Sequence, residues 1–430
     1  MKVRIEGGQL LDSRCGELFR ADIAYDDERG HIVAVGDCLG EADKVVKLNG
    51  ELVLPGFVDM HVHLRDPGFT DKETLATGLQ AAAAGGFAHV ACMPNTNPPV
   101  DSAALVEDII ARGRAIGKAD VHPIACITVG QAGDELTDFE ALKQAGTIAL
   151  SDDGKGVQHG ARMLEAMARA KAAGLPVVIH SEDETLSLDG VIHPDAAKRI
   201  GVKGLLPESE AAMIARDILL AERTGAHLHV CHVSTEQSVA LIRWAKARGV
   251  NITAEVTPHH LLLTESIITH DDAVFKVNPP LQGERDRHAC LEGFLDGTLD
   301  IIATDHAPHT AEEKARGIAH APFGMVGIET VFPLLYTYLV APGVVPLSRL
   351  VDAMTRRPSE LFGLPGGSIR PGSPADLTIV RTDEERRIDP EQFYSKGRNT
   401  PFTNWHAAGW TVRTILRGKD IFVQGEERLS

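Results

Sequence analysis

Two histidines separated by a single residue, His61 and His63, end an apolar segment that begins at Leu52. An apolar run of this length is typical of a buried strand, in which residues i and i+2 point to the same face. Both imidazoles are therefore expected to project side by side from the carboxyl end of that strand. This arrangement suits the binding of one divalent metal ion. Taken alone, the pair is explained equally well by two hydrogen-bonded core histidines.

Four later apolar segments also end in residues that can bind a metal ion. These residues are Asp152 or Asp153, His180, His232 and Asp305. A single strand-end aspartate is often a helix cap, and a single histidine is often a core residue, but five such strand ends together favour a metal centre. Because adjacent residues on a strand face opposite ways, only one of the two neighbouring aspartates can point inward.

The types and the number of these candidate ligands favour zinc. Imidazole and carboxylate donors without a thiolate suit zinc better than manganese or cobalt. Four histidines and two aspartates exceed what one tetrahedral ion needs, whereas a carboxylate that bridges two ions roughly 3.5–4 Å apart would use them all. We therefore expect two zinc ions per subunit, with a single ion as the alternative.

Polar residues next to the expected ligands indicate a substrate site. Arg65 follows the histidine pair directly and would lie over the metal, where its guanidinium can hold a carboxylate in a bidentate grip. Asn95 and Asn278 follow two further strand segments and each offers both a donor and an acceptor. The alternative interpretations are a surface ion pair for the arginine and turn positions for the two asparagines.

An alternation of apolar strands and helix-period segments must position these side chains. Strands are predicted at 52–62, 88–93, 121–128, 147–151, 176–180, 227–233, 251–256 and 300–304. Helices are predicted at 73–84, 102–116, 138–145, 160–173, 209–224, 235–248 and 284–296. Such alternation requires parallel strands with crossover helices, and eight units favour an α/β protein with a (β/α)8 TIM barrel over a doubly wound open sheet. The carboxyl ends of all barrel strands share one face, where chemistry is expected.

The two ends of the chain differ from its middle. Residues 1–51 and 367–430 contain short alternating strands divided by turns, and neither end could bury a core alone. We therefore expect both ends to pair into one small, discontinuous β-sandwich domain beside a catalytic barrel formed by residues 52–366.

The composition indicates a cytoplasmic protein that binds neither nucleic acid nor membranes. The chain has 430 residues, 43% of them hydrophobic, and no apolar run approaches the ~18 residues of a membrane span. Its formal charge of −17 argues against an anionic nucleic-acid or lipid partner. The first residues enter a strand-like pattern without a targeting segment. Six dispersed cysteines without a C-x-x-C pair indicate reduced thiols.

Several motifs in combination resemble the class I, bacterial type of the dihydroorotase family, within the amidohydrolase superfamily. The motifs are PGFVDMHVH (55–63), LRDPG (64–68), MPNT (93–96), SDDG (151–154), VNPPL (277–281), ATDHAPH (303–309) and PFG (322–324). Many relatives, such as hydantoinases, carry a carboxylated lysine on the fourth strand, where this chain has SDDG. The resemblance implies that Asp153 is the ligand there, with Lys155 as the weaker alternative.

The resemblance implies a zinc-dependent cyclic amidohydrolase, which reversibly converts N-carbamoyl-L-aspartate to L-dihydroorotate plus water in de novo pyrimidine (UMP) biosynthesis. It implies these metal ligands: His61, His63, Asp153 as the bridge, His180, His232 and Asp305. Asp305 is also expected to act in catalysis, by carrying the proton of the attacking water to the ring nitrogen. The expected substrate contacts are His63, Arg65, Asn95, Asn278, His309 and the backbone of Phe323 and Gly324. The polar segment 310–317 is predicted to be a mobile lid.

Two other functions stay open at the level of the sequence. One is a different cyclic amidohydrolase, a hydantoinase or an allantoinase. The other is a non-catalytic protein that only supports aspartate transcarbamoylase, although every expected ligand position is intact here. The expected partners are the small-molecule substrate, a second copy of the chain in a homodimer, and aspartate transcarbamoylase.

Overall fold

The computed structural model describes residues 1–12, 16–37 and 39–425, and both ends of the chain form strands outside a central barrel. The strands that precede the barrel are β1 Lys2–Glu6, β2 Gln9–Leu10, β3 Phe19–Arg20, β4 Asp22–Asp26, β5 His31–Gly36, β6 Lys44–Lys47 and β7 Leu52–Pro55. The barrel strands are β8 Phe57–Val62, β9 Phe87–Cys92, β10 Asp120–Ala125, β11 Ala149–Leu150, β12 Val177–Ile179, β13 Leu228–Val230, β14 Ile252–Val256 and β15 Ile301–Ile302. The strands that follow it are β16 Leu377–Arg381, β17 Arg386–Arg387, β18 His406–Ala407, β19 Trp410–Leu416 and β20 Lys419–Val423.

Helices lie between the barrel strands and after them. The α-helices are α1 Leu75–Gly85, α2 Ala103–Ile116, α3 Phe139–Ala145, α4 Gly160–Ala173, α5 Glu184–Ser187, α6 Pro194–Ile200, α7 Glu208–Thr224, α8 Glu236–Ala247, α9 Pro258–Leu262, α10 Glu284–Asp296, α11 Ala311–Lys314, α12 Gly317–His320, α13 Val331–Leu335, α14 Leu347–Met354 and α15 Arg356–Phe362. Shorter 3₁₀ turns are Val129–Gln131, Glu265–Ile267, Ala273–Phe275 and Pro390–Gln392, and Tyr336–Val340 forms a π-helical turn. Among the described residues, no helix is both long and apolar enough to cross a bilayer.

The eight strands from β8 to β15, all within fully described sequence, form one parallel sheet in sequential order. The sheet closes because the first strand also meets the last. Val62 pairs with His306 in parallel, and Thr304 donates to the Asp59 carboxylate from its backbone N at 3.1 Å and from its hydroxyl at 2.6 Å. The predicted (β/α)8 barrel is therefore confirmed, and the doubly wound sheet is excluded.

Each barrel strand is covered on both faces, which explains why the strands are continuously apolar in sequence. Side chains such as Val58, Ile124 and Ile301 fill the interior, while a larger apolar layer lies between the strands and the surrounding helices. Phe362 of α15 packs edge-on against His229, with ring centroids 5.1 Å apart, and closes the interior near the amino end of β13. Polar side chains lie at the opposite, carboxyl end of the barrel.

The strands of the two chain ends form a sandwich. A four-stranded sheet in the order β5-β4-β1-β6 shares one apolar core with a six-stranded sheet in the order β20-β19-β16-β7-β2-β3. Ile5 and Ile23 from the first sheet pack with Ile379 and Ile415 from the second. The expected small β-sandwich beside the barrel is therefore present, and it combines strands from both chain ends.

The structure corrects the first predicted strand, 52–62, which is two strands. The first part, β7, pairs with β2 and β16 in the six-stranded sheet, and only β8 enters the barrel. At Gly56, between them, a Cβ atom would lie 2.7 Å from the Cβ of Ala88, so only glycine permits this close crossing from sheet to barrel. The division of the chain into domains at 51/52 and 366/367 stays a prediction, and β7 lies with the terminal strands.

The cysteines for which the structure gives a position are reduced. Cys92, Cys126, Cys231 and Cys290 are free and buried. Burial raises the pKa of the Cys92 thiol to about 12, so this side chain behaves as a small apolar group. Cys15 and Cys38 lie outside the described residues.

Candidate active site

The polar side chains predicted from the sequence converge at the carboxyl end of the barrel. His61 lies in β8, His63 and Arg65 follow it, and Asn95 follows β9. Asp153, His180, His232 and Asp305 follow β11, β12, β13 and β15 in the same way. All six expected metal ligands are buried. The alternation of strand and helix thus brings together residues from distant parts of the chain, as the parallel barrel requires.

His61 points one ring nitrogen away from the centre and the other into it. Its Nδ1 lies 2.7 Å from Oε1 of Glu255, and its Nε2 lies 3.4 Å from Asp153 Oδ1 and 3.5 Å from Asp305 Oδ1. A proton on Nδ1 therefore donates to Glu255, which leaves the lone pair of Nε2 directed at the two aspartates. This tautomer is the one that a metal ligand needs.

The Asp153 carboxylate lies between two groups of histidines. Its Oδ1 is 3.8 Å from His180 Nδ1 and 4.0 Å from His232 Nε2, while its Oδ2 is 3.7 Å from His63 Nε2. The neighbouring Asp152 turns away and accepts hydrogen bonds from the backbone N of Ile127 at 2.9 Å and of Thr128 at 3.1 Å. Only one of the two aspartates faces the centre, and the exposed Lys155 is not in it.

Unpaired buried atoms test whether this donor set fits a metal ion. Asp153 Oδ1 and His61 Nε2, which lie 3.4 Å apart in the centre, have no hydrogen-bond partner although both are buried. Among the described residues, three triads bring ligand atoms within 4.8 Å of one another, and one of them is His61, Cys231 and Glu255. The two that consist of expected ligands are His61, Asp153 and His232, and His61, His63 and Asp305. Donors ~2.0–2.1 Å from a tetrahedral zinc lie roughly 3.3 Å apart, close to the spacing seen around His61. The residues fit a metal centre, and the two triads leave room for one ion or two.

Electrostatics set different protonation states for the expected ligands. Burial, together with the positive charges of His180 and His61, lowers the pKa of His232 to about 3, so this imidazole is neutral. Burial raises the pKa of Asp305, but His61 and His63 outweigh that effect and hold the pKa well below its usual range. Burial lowers the pKa of His61 and His180, but nearby carboxylates outweigh that effect and raise it, so these two imidazoles would release a proton when a cation binds.

Three of the predicted site residues have backbone conformations that side chains rarely adopt. The φ angle is +58° at Arg65, +33° at His232 and +48° at Asp305. Such conformations cost roughly 1–3 kcal/mol each and persist only where the surrounding structure enforces them. The close packing of the strand ends therefore imposes the positions of these side chains at the expense of local backbone stability.

A cavity of about 120 Å³ opens over the candidate ligands. Its lining residues are His63, Arg65, Asn95, Asp153, Gly154, His180, His232, Asn278, Asp305, Ala307, Phe323 and Gly324. Arg65 donates from Nε to the backbone O of Pro308 at 3.2 Å, and burial lowers the pKa of its guanidinium. A half-buried arginine in a cavity of this size provides the charge that a small anionic ligand would neutralise.

Three of the expected substrate contacts already bond to other site residues. The Asn95 amide donates to Asp153 Oδ2 at 3.0 Å, and its Oδ1 lies 2.9 Å from His63 Nδ1. The Asn278 amide donates to Glu182 at 2.6 Å. His309 stands behind Arg65, with 3.0 Å between His309 Nε2 and the guanidinium. These residues therefore help to hold the candidate ligands and Arg65 in position, in addition to their expected contacts with the substrate.

The predicted lid segment, 310–317, has local structure. Thr310 caps α11, and a capping box joins its side chain and backbone to Glu313. Lys314 is pinned by hydrogen bonds from its Nζ to the backbone O of Ala273 at 3.1 Å and of Pro322 at 2.9 Å. Motion of this segment stays a prediction.

Sequence reasoning missed three residues that support the site: Glu255, Glu182 and His229. Glu255 is fully buried and links His61 to His229, whose Nε2 lies 3.0 Å from Oε2 of Glu255. A single charged residue in the apolar strand β14, ITAEV, was the available signal. Burial raises the pKa of Glu182, but hydrogen bonds from His180 and Asn278 bring it down to about 2, so this carboxylate is ionised beside the ligands.

Comparison with known proteins agrees with this geometry. Residues 50–238 match the dihydro-orotase-like family. The chain is 52% identical over 403 residues to a dihydroorotase from Geobacillus sp. (strain WCH70), covering 93% of this chain and 94% of the relative. It is 51% identical over 428 residues to a dihydroorotase from Bacillus caldolyticus, covering 99% of this chain and 100% of the relative.

Solved structures of similar fold include an L-hydantoinase (dihydropyrimidinase) from Arthrobacter aurescens, with a TM-score of 0.87 and 26% identity. That superposition covers 99% of this chain and 96% of the hydantoinase. A dihydropyrimidinase from Brevibacillus agri NCHU1002 has a TM-score of 0.85 and 24% identity, covers 98% of this chain and 95% of its own, and supports the fold alone. With about half of its residues identical to curated relatives over nearly their full length, the chain belongs to the dihydroorotase family.

Proposed function

We propose that this chain is a zinc-dependent dihydroorotase, which reversibly interconverts N-carbamoyl-L-aspartate and L-dihydroorotate plus water in pyrimidine biosynthesis. The relatives named dihydroorotase support the activity. The observation that carries the proposal within the molecule is the Asp153 carboxylate, which lies between two groups of histidines and lines the same cavity as Arg65.

In the proposed metal centre His61, His63 and Asp305 would hold one zinc, His180 and His232 would hold the other, and Asp153 would serve as a ligand to both. When bound, zinc supplies a water whose pKa is lowered from 15.7 to roughly 7 and polarises a carbonyl oxygen. The triad of His61, His63 and Asp305 supports the first of these groups. The unpaired Oδ1 of Asp153, which faces His61, His180 and His232, supports the bridging position.

The proposed substrate site places the dihydroorotate carboxylate against Arg65, with His309 directly behind the guanidinium. Asn95 and His309 contact the same carboxylate in this proposal, and Asn278 and the backbone of Phe323 and Gly324, which also line the cavity, contact the ring. A carboxylate fits the forked donors of an arginine, and in this buried site the pairing removes the cost of an uncompensated charge. The grip also orients the ring carbonyl toward the metal side of the cavity.

Asp305 is the proposed proton carrier. In hydrolysis, water forms a bond to the ring carbonyl carbon, and the Asp305 carboxylate accepts its proton. The same carboxyl group then gives that proton to the ring nitrogen as the carbon–nitrogen bond breaks. In the synthetic direction these steps reverse, so one group acts as base and as acid. The low pKa of Asp305 favours the ionised form that starts hydrolysis.

A substrate comparison tests the proposal. Purified, zinc-loaded protein should turn over dihydroorotate, and should act far more slowly on hydantoin and allantoin, which lack the carboxylate that Arg65 would hold. Turnover of hydantoin or allantoin without turnover of dihydroorotate would identify another cyclic amidohydrolase. A zinc-loaded protein inactive on all three compounds would support a scaffold for aspartate transcarbamoylase instead.

We also propose that the protein works in the cytoplasm as a homodimer, with aspartate transcarbamoylase as a partner. Light scattering on the purified chain measures the first association. Mixing the chain with purified aspartate transcarbamoylase before the same measurement tests the second, since a complex would appear at the summed mass.

A further inference from the structure

Asn399, in the segment between β17 and β18, joins two loops of the candidate active site. Its side-chain amide donates to the backbone O of Ala307 at 3.0 Å and to the backbone O of Gly324 at 3.1 Å. Its Oδ1 accepts from the backbone N of His309 at 3.1 Å. The side chain is 6% exposed, so these bonds compete little with water. One side-chain amide thus connects the loop of residues 305–309, which follows β15, to the loop of residues 323–326.

The backbone around Asn399 is seated against the same two loops. The backbone O of Asn399 accepts from the backbone N of Val326 at 2.9 Å. At Gly397 a Cβ atom would lie 2.6 Å from a Val326 methyl group and 2.8 Å from Pro308 Cβ, so only glycine fits there. The segment therefore cannot shift without moving both loops.

These two loops carry the proposed substrate contacts. Residues 305–309 include Asp305 and the Pro308 carbonyl that accepts from Arg65. Residues 323–326 begin with the two residues that wall the cavity, and His309 Nε2 lies 2.8 Å from the backbone O of Phe323. The relative position of the two loops therefore sets the shape of the pocket around the ring and the aim of the guanidinium.

We propose that Asn399 is a positioning residue for substrate binding, which holds these two loops at the spacing that dihydroorotate requires. The carboxyl-terminal part of the chain, beyond the barrel, thereby takes part in forming the substrate pocket. This inference rests on the proposed function for its substrate. Its physical basis is that one buried amide satisfies two carbonyl oxygens and one backbone N that would otherwise lack partners.

Asn399→Ala and Asn399→Asp test this role in the full-length, zinc-loaded chain. The alanine variant orphans all three backbone groups. The aspartate variant keeps an acceptor for the His309 backbone N but sets an oxygen against the carbonyls of Ala307 and Gly324, at nearly unchanged volume. The matched control is Thr400→Val, because Thr400 is the next residue and is also buried. Its hydroxyl accepts a hydrogen bond at 3.3 Å from the backbone N of Phe402, which lies in neither loop.

We expect both Asn399 variants to raise KM for dihydroorotate about tenfold, because the loss of buried hydrogen-bond partners loosens the two loops. Zinc content should stay that of the unchanged protein, and kcat should change by no more than about threefold. Hydrogen exchange should become faster at the backbone amides of residues 306–309 and 324–326. Thr400→Val should leave KM and exchange in both loops unchanged.

A purely structural role would give a different pattern. It would lower Tm and the folded fraction while KM and loop exchange of the remaining folded protein stayed unchanged, and that result would overturn the proposal. If the alanine variant does not fold, the near-isosteric aspartate variant decides by the same measurements. If the unchanged protein does not act on dihydroorotate, the proposed function fails, whereas the exchange comparison still tests whether Asn399 orders the loops.

Discussion

His61 Nδ1 and Glu255 Oε1 lie 2.7 Å apart although 194 residues separate them in the chain. Glu255 is fully buried in β14, and its other oxygen accepts from His229, so the carboxylate cannot turn away from His61. Burial raises the pKa of Glu255, but His61 and His229 outweigh that effect and hold it well below its usual range. The ionised carboxylate therefore keeps a proton on His61 Nδ1. The lone pair of Nε2 is then free to face Asp153 and Asp305.

Glu255→Gln should weaken zinc binding about 10–100-fold, as is typical when the carboxylate partner of a metal-binding histidine is removed. The amide oxygen can still accept from His61 Nδ1, but it lacks the negative charge that makes the imidazole a stronger donor. Competition of the protein with a chromogenic chelator measures the affinity directly.

The matched control for Glu255 is Asp217→Asn, which also replaces a fully buried acid by its amide. Asp217 accepts from Arg216 Nε at 2.8 Å on α7, a helix that contains none of the candidate ligands. Its replacement should lower Tm without changing zinc affinity. Equal zinc affinity of Glu255→Gln and the unchanged protein would show that His61 needs no such partner.

Asp153→Ala should lower the bound zinc below that of the unchanged protein and reduce turnover by at least about 100-fold, because the Asp153 carboxylate lies near histidines of both groups. Metal analysis by mass spectrometry and a dihydroorotate assay on the same sample measure both effects. Full metal content with full activity would contradict the bridging position, and the exposed Lys155 would be the next residue to replace.

Arg65→Ala should raise KM for dihydroorotate about 10–100-fold while zinc stays bound, because the substrate carboxylate loses its charged partner. Arg65→Lys is the matched variant, since it keeps the charge but not the forked geometry. Its KM should lie between that of the unchanged protein and that of Arg65→Ala. A small effect of the alanine variant on both KM and turnover would place the carboxylate elsewhere in the cavity.

Asp305→Asn should reduce turnover about 10²–10⁴-fold, because the amide cannot carry a proton. Its oxygen can still bind zinc, so metal content measured on the same sample separates ligation from proton transfer. With full zinc and unchanged turnover, Asp305 would be a ligand and nothing more.

The pH dependence offers a second test of Asp305. Its pKa lies well below the usual range, so the carboxylate of the unchanged protein is ionised at neutral pH. Hydrolysis starts from the ionised base, so its rate should stay nearly constant across the neutral range as far as Asp305 decides it, whereas cyclisation starts from the rare protonated form and should slow as pH rises. Rates of both directions across the neutral range would show this difference, and parallel profiles would contradict the shared carrier.

Much of this architecture could be predicted from local sequence patterns. Continuous apolar strands alternating with helix-period segments imply a parallel barrel, because strands covered on both faces must be apolar throughout. Metal-competent residues at the carboxyl ends of those strands must then share one face. The sequence alone therefore predicts that one end of the barrel contains His61, His180, His232 and Asp305.

Only the tertiary structure shows which distant residues contact these side chains and hold them in position. The division of the first strand at Gly56 depends on a close approach to Ala88, which no local pattern contains. Glu255 and Asn399 act through contacts 194 and 90 residues away along the chain, with His61 and His309 respectively. Such pairings follow from strand register, barrel closure and the return of the carboxyl-terminal segment. Sequence periodicity fixes the direction of a side chain within its own element but not the distance to a neighbour on another.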